Sequence, residues 1–470
     1  MGKEELLPAD PAAVADQPPE DAEFLEVEVD PPQRDRLALR GGVDGFDDPL
    51  KAVEREAVHP LAEGEALAPG QPGSPVEGPA EPLDGEAVNG GGGQQVSWPM
   101  NQRQLSRICT LESIASVANL FRAADQARRG KSRRPEVEDW WLRRETELGS
   151  LREELLGGRY QPGPYRFFVV RVPKRRAIAA APFRDRVVHH ALCNLLAPVL
   201  QRRFIARSFS CQVGKGTTAA RECCRKLTNR FSHVLKCDVR KFFPNVDHAI
   251  LLEKLSPWVA CPGAMGLVER ILASYRTGDE VPVPLFADDD LVLASQRPRG
   301  LPIGNLTSQL WGNFYLDAMD HWVTETREHG AYLRYTDDFL LFGDDRAVLW
   351  RLRDGIVSQL AGLRLKLAEP KSRLLATREG VPFCGMRFLP GLRPRVLGAG
   401  KRRFERRRSA LYARRDLPAL TRCVFGWYQF SLEANAAGLR RAYLRSPLAA
   451  RSRPRRSRST LGPPEPLNQR

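Results

Sequence analysis

The spacing of apolar side chains changes several times along this chain of 470 residues, and each change predicts a different element. Helical spacing with a glycine stop predicts a helix in LESIASVANLFRAADQARRG, from Leu111, and another in DWWLRRETELGSLREELLGG, from Asp139. YRFFVVRVPKRRAIAAAPF, from Tyr165, predicts two strands around a basic turn. The helix DRVVHHALCNLLAPVLQRRF follows, and we expect Asp185 to cap it. Order therefore begins near Leu105.

Further along, the pattern predicts strands with acidic residues at their ends. HVLKCDV (233–239) has the composition of a buried strand and carries Asp238 near its end, and VDHAILLEKL predicts the helix after it. The helix TSQLWGNFYLDAMDHWV leads to AYLRYTDDFLLF (331–342), where two apolar strands enclose Asp337 and Asp338. KRRFERRRSALYARR then predicts a strongly basic helix.

Composition separates the N-terminal hundred residues and one internal segment from this pattern. Residues 1–100 are rich in Pro, Gly, Ala, Asp and Glu. Such a segment cannot bury enough apolar surface to offset the entropy of ordering, so we predict a disordered acidic extension. Residues 277–298 form a Pro/Asp-rich insertion. We interpret its acidic run, 288–290, as a solvated loop because no apolar residues support it.

Charge is distributed very unevenly. Residues 1–100 carry 22 acidic and 6 basic side chains, a net charge of −16, so that the rest of the chain carries +31 within the total of +15. A folded part that basic needs an anionic partner, and nucleic acid is the first candidate. The rival partner is a membrane surface, but no apolar run approaches the length of a spanning helix.

The cellular setting is indicated by what the sequence lacks. The N-terminus MGKEELLPAD has no basic-then-apolar signal pattern. Nine cysteines without a CxxC pair give neither a disulfide framework nor a zinc signature. We therefore expect a cytoplasmic protein in a reducing compartment.

The adjacent aspartates, Asp337 and Asp338, admit two interpretations from the residues alone. Aspartate is common in turns, so the first is an ordinary polar turn. The second is a metal site shared with Asp238, because an acid at the end of a buried strand is costly unless it is neutralised. Two divalent cations about 3.5–4 Å apart would activate a hydroxyl and stabilise a leaving phosphate oxygen, and oxygen ligands favour Mg²⁺. Taken alone, an acid at the position of Asp238 is more commonly a helix-capping or turn residue.

Six blocks, in order, resemble the motifs of reverse transcriptases. YTDD at the hairpin resembles their Tyr-x-Asp-Asp motif, and LKCDVRKFFPNVDH resembles their first-aspartate motif. VPKRRAIAAAPFRDRVVHHAL (172–192) resembles the fingers motif, and RSFSCQVGKGTTAA (207–220) resembles the block after it. GLPIGNLTSQLWGNFYLD (300–317) resembles the nucleotide-pocket motif, and GVPFCGMRF (380–388) resembles the primer grip. The resemblance covers residues 105–390 and implies an RNA-directed DNA polymerase acting on an RNA template, a primer and dNTPs.

The implied fold class is α+β, a right-hand polymerase with palm, fingers and thumb. On this chain the implied parts are the acidic extension (1–100), the N-terminal helices with fingers (101–232), the palm with its primer grip (233–392), a helical thumb (393–450) and a basic flexible tail (451–470).

The resemblance also implies roles for individual residues. Asp238, Asp337 and Asp338 would bind two Mg²⁺ ions, for which Mn²⁺ can substitute, and the carbonyl of Val239 would assist. The nucleotide-binding candidates are Lys174 and Arg176 of the fingers and the aromatic Phe243, which would exclude a ribose 2′-hydroxyl. Ile303, Gly304 and Gln309 of the nucleotide-pocket motif are further candidates for nucleotide binding. Lys371 is the candidate general acid. The alternatives are a surface basic turn for Lys174 and Arg176, and a core position for the aromatic residue, as we expect for Phe242.

One departure points to a branch of the family. Where most reverse transcriptases have Pro-Gln-Gly and then Ser-Pro, this chain has Pro302-Ile303-Gly304 and then Ser308-Gln309. That pattern resembles the reverse transcriptases of diversity-generating retroelements, which make errors at template adenines and work with a small basic accessory protein. A chromosomal reverse transcriptase with another duty, such as phage defence, and an inactive polymerase fold that only binds RNA remain as alternatives.

Overall fold

The computed structural model describes residues 106–170, 175–278, 280–287, 289–326 and 328–445. The predicted acidic extension, the basic tail and Lys174 lie outside the described residues. The described part mixes helices with three antiparallel sheets, which confirms the predicted α+β class. No helix in it is both long enough and apolar enough to span a bilayer.

Four helices open the described part: α1 (Leu111–Ile114), α2 (Val117–Arg128), α3 (Pro135–Leu142) and α4 (Arg144–Leu156). The predicted helix from Leu111 is thus broken, because the Ser116 side chain accepts a hydrogen bond from Asn119 N and starts a new helix. Both fragments bury their apolar residues in the main core.

A two-stranded hairpin follows, formed by β1 (Arg166–Val170) and β2 (Arg176–Ala180), and leads to α5 (Phe183–Gln201). The expectation that Asp185 caps α5 is wrong. The helix begins after Pro182 without a side-chain cap, and the buried Asp185 carboxylate instead accepts hydrogen bonds from Tyr160 Oη and Gly163 N, both at 2.8 Å. Asp185 therefore joins the helix to the preceding loop.

The central sheet has the order β4-β5-β3-β6, with all neighbours antiparallel. Its strands are β3 (His233–Asp238), β4 (Ala331–Tyr335), β5 (Asp338–Gly343) and β6 (Arg373–Ala376). Side chains alternate between two faces, as in any strand. Leu235 and Cys237 pack into the main core, and Val234 packs into a second apolar cluster. Both faces of the sheet are therefore covered.

Helices connect these strands and cover the sheet. They are α6 (Thr217–Arg230), α7 (Phe242–Asn245), α8 (His248–Leu255), α9 (Pro262–Ala273), α10 (Leu291–Gln296), α11 (Leu306–Tyr315), α12 (Asp317–Glu325) and α13 (Arg346–Gly362).

The insertion at 277–298 contains a short helix, and the interpretation of its acidic run as a solvated loop is wrong for Asp289. The Asp289 side chain is 2% exposed and forms ion pairs with Arg297 and Arg364. Asp290 caps α10 by accepting hydrogen bonds from two backbone amides. Asp288 lies outside the described residues.

After the central sheet come three short strands and three helices. The strands β7 (Val381–Phe383), β8 (Met386–Phe388) and β9 (Arg395–Val396) form one sheet. The helices are α14 (Gly398–Ala413), α15 (Leu417–Leu432) and α16 (Ala437–Arg445). Phe404 of α14 stacks on Trp427 of α15, with ring centroids 4.4 Å apart. The predicted basic helix is therefore part of a helical unit with its own small core.

Candidate active site

Three aspartates meet at one end of the central sheet. Asp238, the last residue of β3, lies directly opposite Asp338, the first residue of β5. Asp337 lies in the turn between β4 and β5, and its carbonyl accepts a hydrogen bond from Val239 N at 3.1 Å. Because opposite residues in an antiparallel pair share a face, Asp238 and Asp338 project to the same side of the sheet.

The Val239 carbonyl takes no part in the backbone hydrogen bonds between residues 238–240 and residues 366–368. Arg240 N donates to Lys366 O and Ala368 N donates to Asp238 O, both at 2.8 Å. These two bonds flank the bridge between Val239 and Leu367 without using the Val239 carbonyl. That position suits the predicted assisting role of the carbonyl, which stays a prediction.

A buried ionic network holds the turn that carries Asp337. Arg334 on β4 and Asp320 on α12 are both fully buried and form a two-point ion pair, with Nη2–Oδ2 at 2.5 Å and Nε–Oδ1 at 2.8 Å. Arg334 Nη1 also donates to the carbonyl of Thr336, the turn residue with a positive φ of 58°. Asn313 of α11 accepts from the same guanidinium. The turn is thereby fastened to α11 and α12.

The carboxylates at the sheet end influence one another. Burial, followed by the charge of Asp238, raises the pKa of Asp337 to about 6. Burial also raises the pKa of Asp338, although the neighbouring Lys236 opposes this shift. Negative charge is thus concentrated in a half-buried site, which is the electrostatic setting that a bound cation relieves.

Two lysines neutralise part of this charge. The Lys236 ammonium forms an ion pair with Asp338, and the Lys371 ammonium forms one with Asp238. Lys371 therefore lies beside the aspartates, and its role as general acid stays a prediction.

The donor chemistry fits divalent magnesium, because all three side chains are carboxylates. In the described part of the chain, however, no group of three or more His, Cys, Asp and Glu side chains is arranged as a metal site. The carboxylates of Asp238 and Asp338 contact lysines, so binding of a metal would require them to exchange these partners.

The hairpin of β1 and β2 supplies a cation from another direction. Arg176, the first residue of β2, lies close enough to Asp337 to favour its charged form. The same strand contacts the predicted nucleotide pocket, because Ala179 N donates to Ile303 O at 3.2 Å. A Cβ atom on Gly304, whose φ is +123°, would lie 3.1 Å from Ile178 Cγ2. Glycine thus permits the hairpin to approach the pocket segment closely.

The two adjacent phenylalanines occupy different environments. Phe242 is 2% exposed and belongs to the main core, as predicted. Phe243 is only partly buried, and a Cβ atom on Gly312 of α11 would lie 3.3 Å from its ring. Of the two rings, Phe243 is therefore the more exposed, and its contact with a substrate sugar stays a prediction.

The start of α11 contains buried polar atoms that lack a hydrogen-bond partner among the described residues. They are the side-chain oxygens Asn305 Oδ1, Ser308 Oγ and Gln309 Oε1. Unsatisfied buried acceptors and hydroxyls are costly, so a water, an ion or a bound ligand is the expected partner of each. Gln309 was predicted to bind nucleotide, whereas Asn305 was not.

Sequence reasoning missed Lys236, Arg334 and Asp320. A signal was present for the first two, because each is a lone cation inside an otherwise apolar strand and such a cation requires a buried partner. The sequence did not say which acid that partner would be. Asp320 lies on a helix with other acids, and nothing in its spacing distinguishes it.

Comparison with known proteins agrees with this geometry. Residues 171–388 match the family model of the reverse transcriptase (RNA-dependent DNA polymerase). The protein YkfC of Escherichia coli (strain K12) is 26% identical over 285 residues, which are 52% of this chain and 71% of YkfC. The putative COX1/OXI3 intron 1 protein of Saccharomyces cerevisiae is 21% identical over 181 residues, which are 38% of this chain and 20% of that protein.

Solved structures show weaker likeness. A partial Cas6-RT-Cas1–Cas2 complex has 18% identity and a TM-score of 0.32, covering 52% of this chain and 41% of the other. Apo telomerase from Candida tropicalis has 13% identity and a TM-score of 0.32, covering 48% of this chain and 47% of the other. This chain spans less than half of both solved chains and one fifth of the intron protein. The family match lies over the aspartate site, and residues 171–388 are therefore a domain of the reverse transcriptase (RNA-dependent DNA polymerase) family.

Proposed function

We propose that the whole chain acts as an RNA-directed DNA polymerase that extends a primer along an RNA template with deoxynucleotides. The observation that supports this most directly is the pairing of Asp238 with Asp338, beside Asp337, inside the segment that matches the family. The proposal divides the chain as the resemblance does, into N-terminal helices with fingers, a palm with its primer grip and a thumb: 101–232, 233–392 and 393–450. All nine cysteines are free, which supports the proposed cytoplasmic setting.

In the proposed reaction, the primer 3′-oxygen forms a bond to the α-phosphorus, the bond from that phosphorus to the bridging oxygen breaks, and pyrophosphate leaves. Asp238, Asp337 and Asp338, with the Val239 carbonyl, would hold two Mg²⁺ or Mn²⁺ ions. Such ions, when bound, activate the hydroxyl and stabilise the charge that develops on the phosphate.

The surrounding cations would handle the triphosphate. Arg176 reaches the site from the hairpin, and a planar guanidinium donates two parallel hydrogen bonds to phosphate oxygens. Lys174 would act beside it. The contact of Lys371 with Asp238 supports its proposed role in protonating the leaving pyrophosphate.

The test replaces one metal ligand and leaves the nucleic-acid surface intact. Asp238→Asn should lower primer extension by at least a factor of about 100, since loss of a comparable electrostatic group costs about 3–4 kcal/mol of transition-state stabilisation. Asp354→Asn, on the exposed face of α13, is the matched control. RNA binding, measured by fluorescence anisotropy, should be unchanged in both variants. Extension by Asp238→Asn at the wild-type rate would contradict the proposed function, and RNA binding without any extension by the wild-type protein would favour the inactive fold.

We further propose that the enzyme is error-prone and belongs to a diversity-generating retroelement, with a small basic accessory protein. The support is Ile303, which is half-buried beside the hairpin of β1 and β2 and whose side chain has no donor or acceptor. Most reverse transcriptases have a glutamine at this position, whose side chain can make a polar contact beside the incoming nucleotide. Isoleucine cannot make that contact, so a correct base pair is favoured over a mispair by less. One such contact is worth about 1–3 kcal/mol of discrimination.

Ile303→Gln should therefore raise fidelity, and Ile303→Leu should leave it low. Sequencing of cDNA made on a template of mixed composition measures both, and errors should cluster opposite adenine. Rare or evenly distributed errors in the wild-type product would instead favour a chromosomal reverse transcriptase with another duty, such as defence.

A further inference from the structure

The hydroxyl of Tyr165 links three elements that meet beside the predicted nucleotide pocket. Tyr165 immediately precedes β1, and its Oη lies 3.2 Å from Asn305 Nδ2 and 3.2 Å from Ser274 Oγ. Asn305 immediately precedes α11, and Ser274 immediately follows α9. One side chain therefore connects the base of the β1–β2 hairpin to the start of α11 and to the end of α9.

Each hydrogen bond of this chain of side chains has a definite direction. Ser274 Oγ donates to the carbonyl of Ile271 at 2.6 Å, so the serine oxygen must accept from Tyr165. A tyrosine hydroxyl has a single proton, so Tyr165 must in turn accept from Asn305. Burial raises the pKa of Tyr165, and the hydroxyl therefore keeps that proton. The amide nitrogen of Asn305 is thus the atom that faces Tyr165.

This orientation prevents Asn305 from capping α11. Asn305 occupies the N-cap position, where the side-chain oxygen of an asparagine normally accepts from a backbone amide of the first turn. Here the side chain makes no capping hydrogen bond, and Oδ1 has no partner among the described residues although Asn305 is only 3% exposed. The helix thus lacks a cap that its sequence provides, and departures of this kind are expected at functional sites.

The backbone of the same segment contacts the other strand of the hairpin. Ile303 O accepts from Ala179 N at 3.2 Å, and a Cβ atom on Gly304 would lie 3.1 Å from Ile178 Cγ2. The segment 303–305 is therefore held by β2 and by the residue before β1. Because Ile303 and Gly304 are candidates for nucleotide binding, a displacement of Asn305 would shift both relative to a bound nucleotide.

We propose that Tyr165 is a positioning residue of the nucleotide pocket. Its hydroxyl holds Asn305 in the orientation that leaves α11 uncapped and keeps the segment 303–305 against the β1–β2 hairpin. The proposal requires no contact between Tyr165 and the substrate. It rests on the proposed function, because the nucleotide pocket is that of the polymerase.

Tyr165→Phe removes only the hydroxyl and provides the first test. Asn305 is then free to cap α11, so the melting temperature should stay the same or rise. The KM for dNTPs in primer extension should rise between about twofold and tenfold, the range expected for one hydrogen bond, whereas kcat should change less. A lower melting temperature with an unchanged KM would indicate a merely structural role and would overturn the proposal.

Asn305→Ser breaks the same hydrogen bond from its other side. Serine retains an oxygen that caps helices but has no amide group that reaches Tyr165. This variant should therefore raise the KM for dNTPs as much as Tyr165→Phe does. The double variant should be no worse than either single variant, because both substitutions remove one shared interaction. Additive effects on the KM would contradict the proposal.

Ser274→Ala removes the last link and keeps the proposal testable if Tyr165→Phe does not fold. Tyr165 then loses its acceptor but keeps its donor, so the KM for dNTPs should rise by a smaller factor. Ser295→Ala is the matched control, because Ser295 Oγ donates to Val292 O at 2.7 Å in the same geometry and lies on the exposed α10. Equal KM values for Ser274→Ala and Ser295→Ala would count against the chain of hydrogen bonds.

Nucleotide binding without turnover separates this proposal from the proposed function. dTTP is titrated into the full chain bound to an RNA template and a primer that ends in a dideoxynucleotide. Weaker binding of dTTP by Tyr165→Phe than by the wild-type protein supports the positioning role even if normal primers are not extended, and the missing extension would then count only against the proposed function. Normal extension with equal KM and equal dTTP affinity in both proteins would count only against the positioning role.

Discussion

The buried ion pair between Arg334 and Asp320 should be the most sensitive point of the aspartate hairpin. Both side chains are 0% exposed, and the guanidinium makes contacts with Asp320, Asn313 and Thr336. Burial alone would lower the pKa of Arg334, but the Asp320 carboxylate raises it above its usual value. Asp320→Asn would therefore leave a charged guanidinium in the interior without a counterion.

The expected cost follows from that burial. Removing one partner of a buried pair costs about 3–5 kcal/mol of unfolding free energy, which is a large part of the about 5–15 kcal/mol available to a typical protein. The pair between Arg353 and Glu369 is the matched control, because the Glu369 side chain is 61% exposed. Glu369→Gln should cost about 0.2–1 kcal/mol.

Urea unfolding followed by circular dichroism measures both values. The double variant Arg334→Met/Asp320→Leu separates stability from positioning, since replacing a buried pair with apolar residues is often neutral or stabilising. It should recover most of the stability, whereas primer extension should remain low because the Thr336 carbonyl has lost its donor. A cost below about 1 kcal/mol for Asp320→Asn would refute the reasoning.

Three further predictions concern the same site. In EDTA, Asp337→Asn should raise the melting temperature at pH 8 but not at pH 4. The pKa of Asp337 in the folded protein, about 6, exceeds the ordinary aspartate pKa of about 3.9. The wild-type protein therefore loses stability as the pH rises from the ordinary pKa to the folded pKa, and the neutral asparagine does not. Phe243→Ala should increase the use of ribonucleotides relative to deoxyribonucleotides in primer extension, and an unchanged ratio would place the gate on another side chain. Gly304→Ala should raise the KM for dNTPs, because the new Cβ atom at a φ of +123° would press on Ile178 at 3.1 Å. Gly216→Ala, with a φ of +107° and no neighbouring atom within 4 Å, controls for backbone strain alone.

The sequence predicted the elements whose signal is local. Short apolar runs identified β3 and the β4–β5 hairpin, and these strands place Asp238 opposite Asp338, as the metal hypothesis requires. It failed where a distant partner decides the outcome. Asp185 resembles a helix cap, yet Tyr160 and Gly163 bind its carboxylate, and Asp289 resembles a solvated acid until Arg364 pairs with it. Sequence spacing carries no information about contacts of that range.

The same limit explains why the cations of the site were only partly predicted. Three aspartates can share a half-buried sheet end because cations approach them from separate elements: Lys236 from β3, Lys371 after α13, and Arg176 from the β1–β2 hairpin. Arg176 and Lys371 were identified from motif resemblance, whereas Lys236 lies within a strand whose register alone places it diagonally across from Asp338. Because a bound cation and a lysine ammonium repel each other, Asp238 and Asp338 must each release or share a lysine when they bind a metal. The strength of metal binding should therefore depend on these lysines as well as on the aspartates.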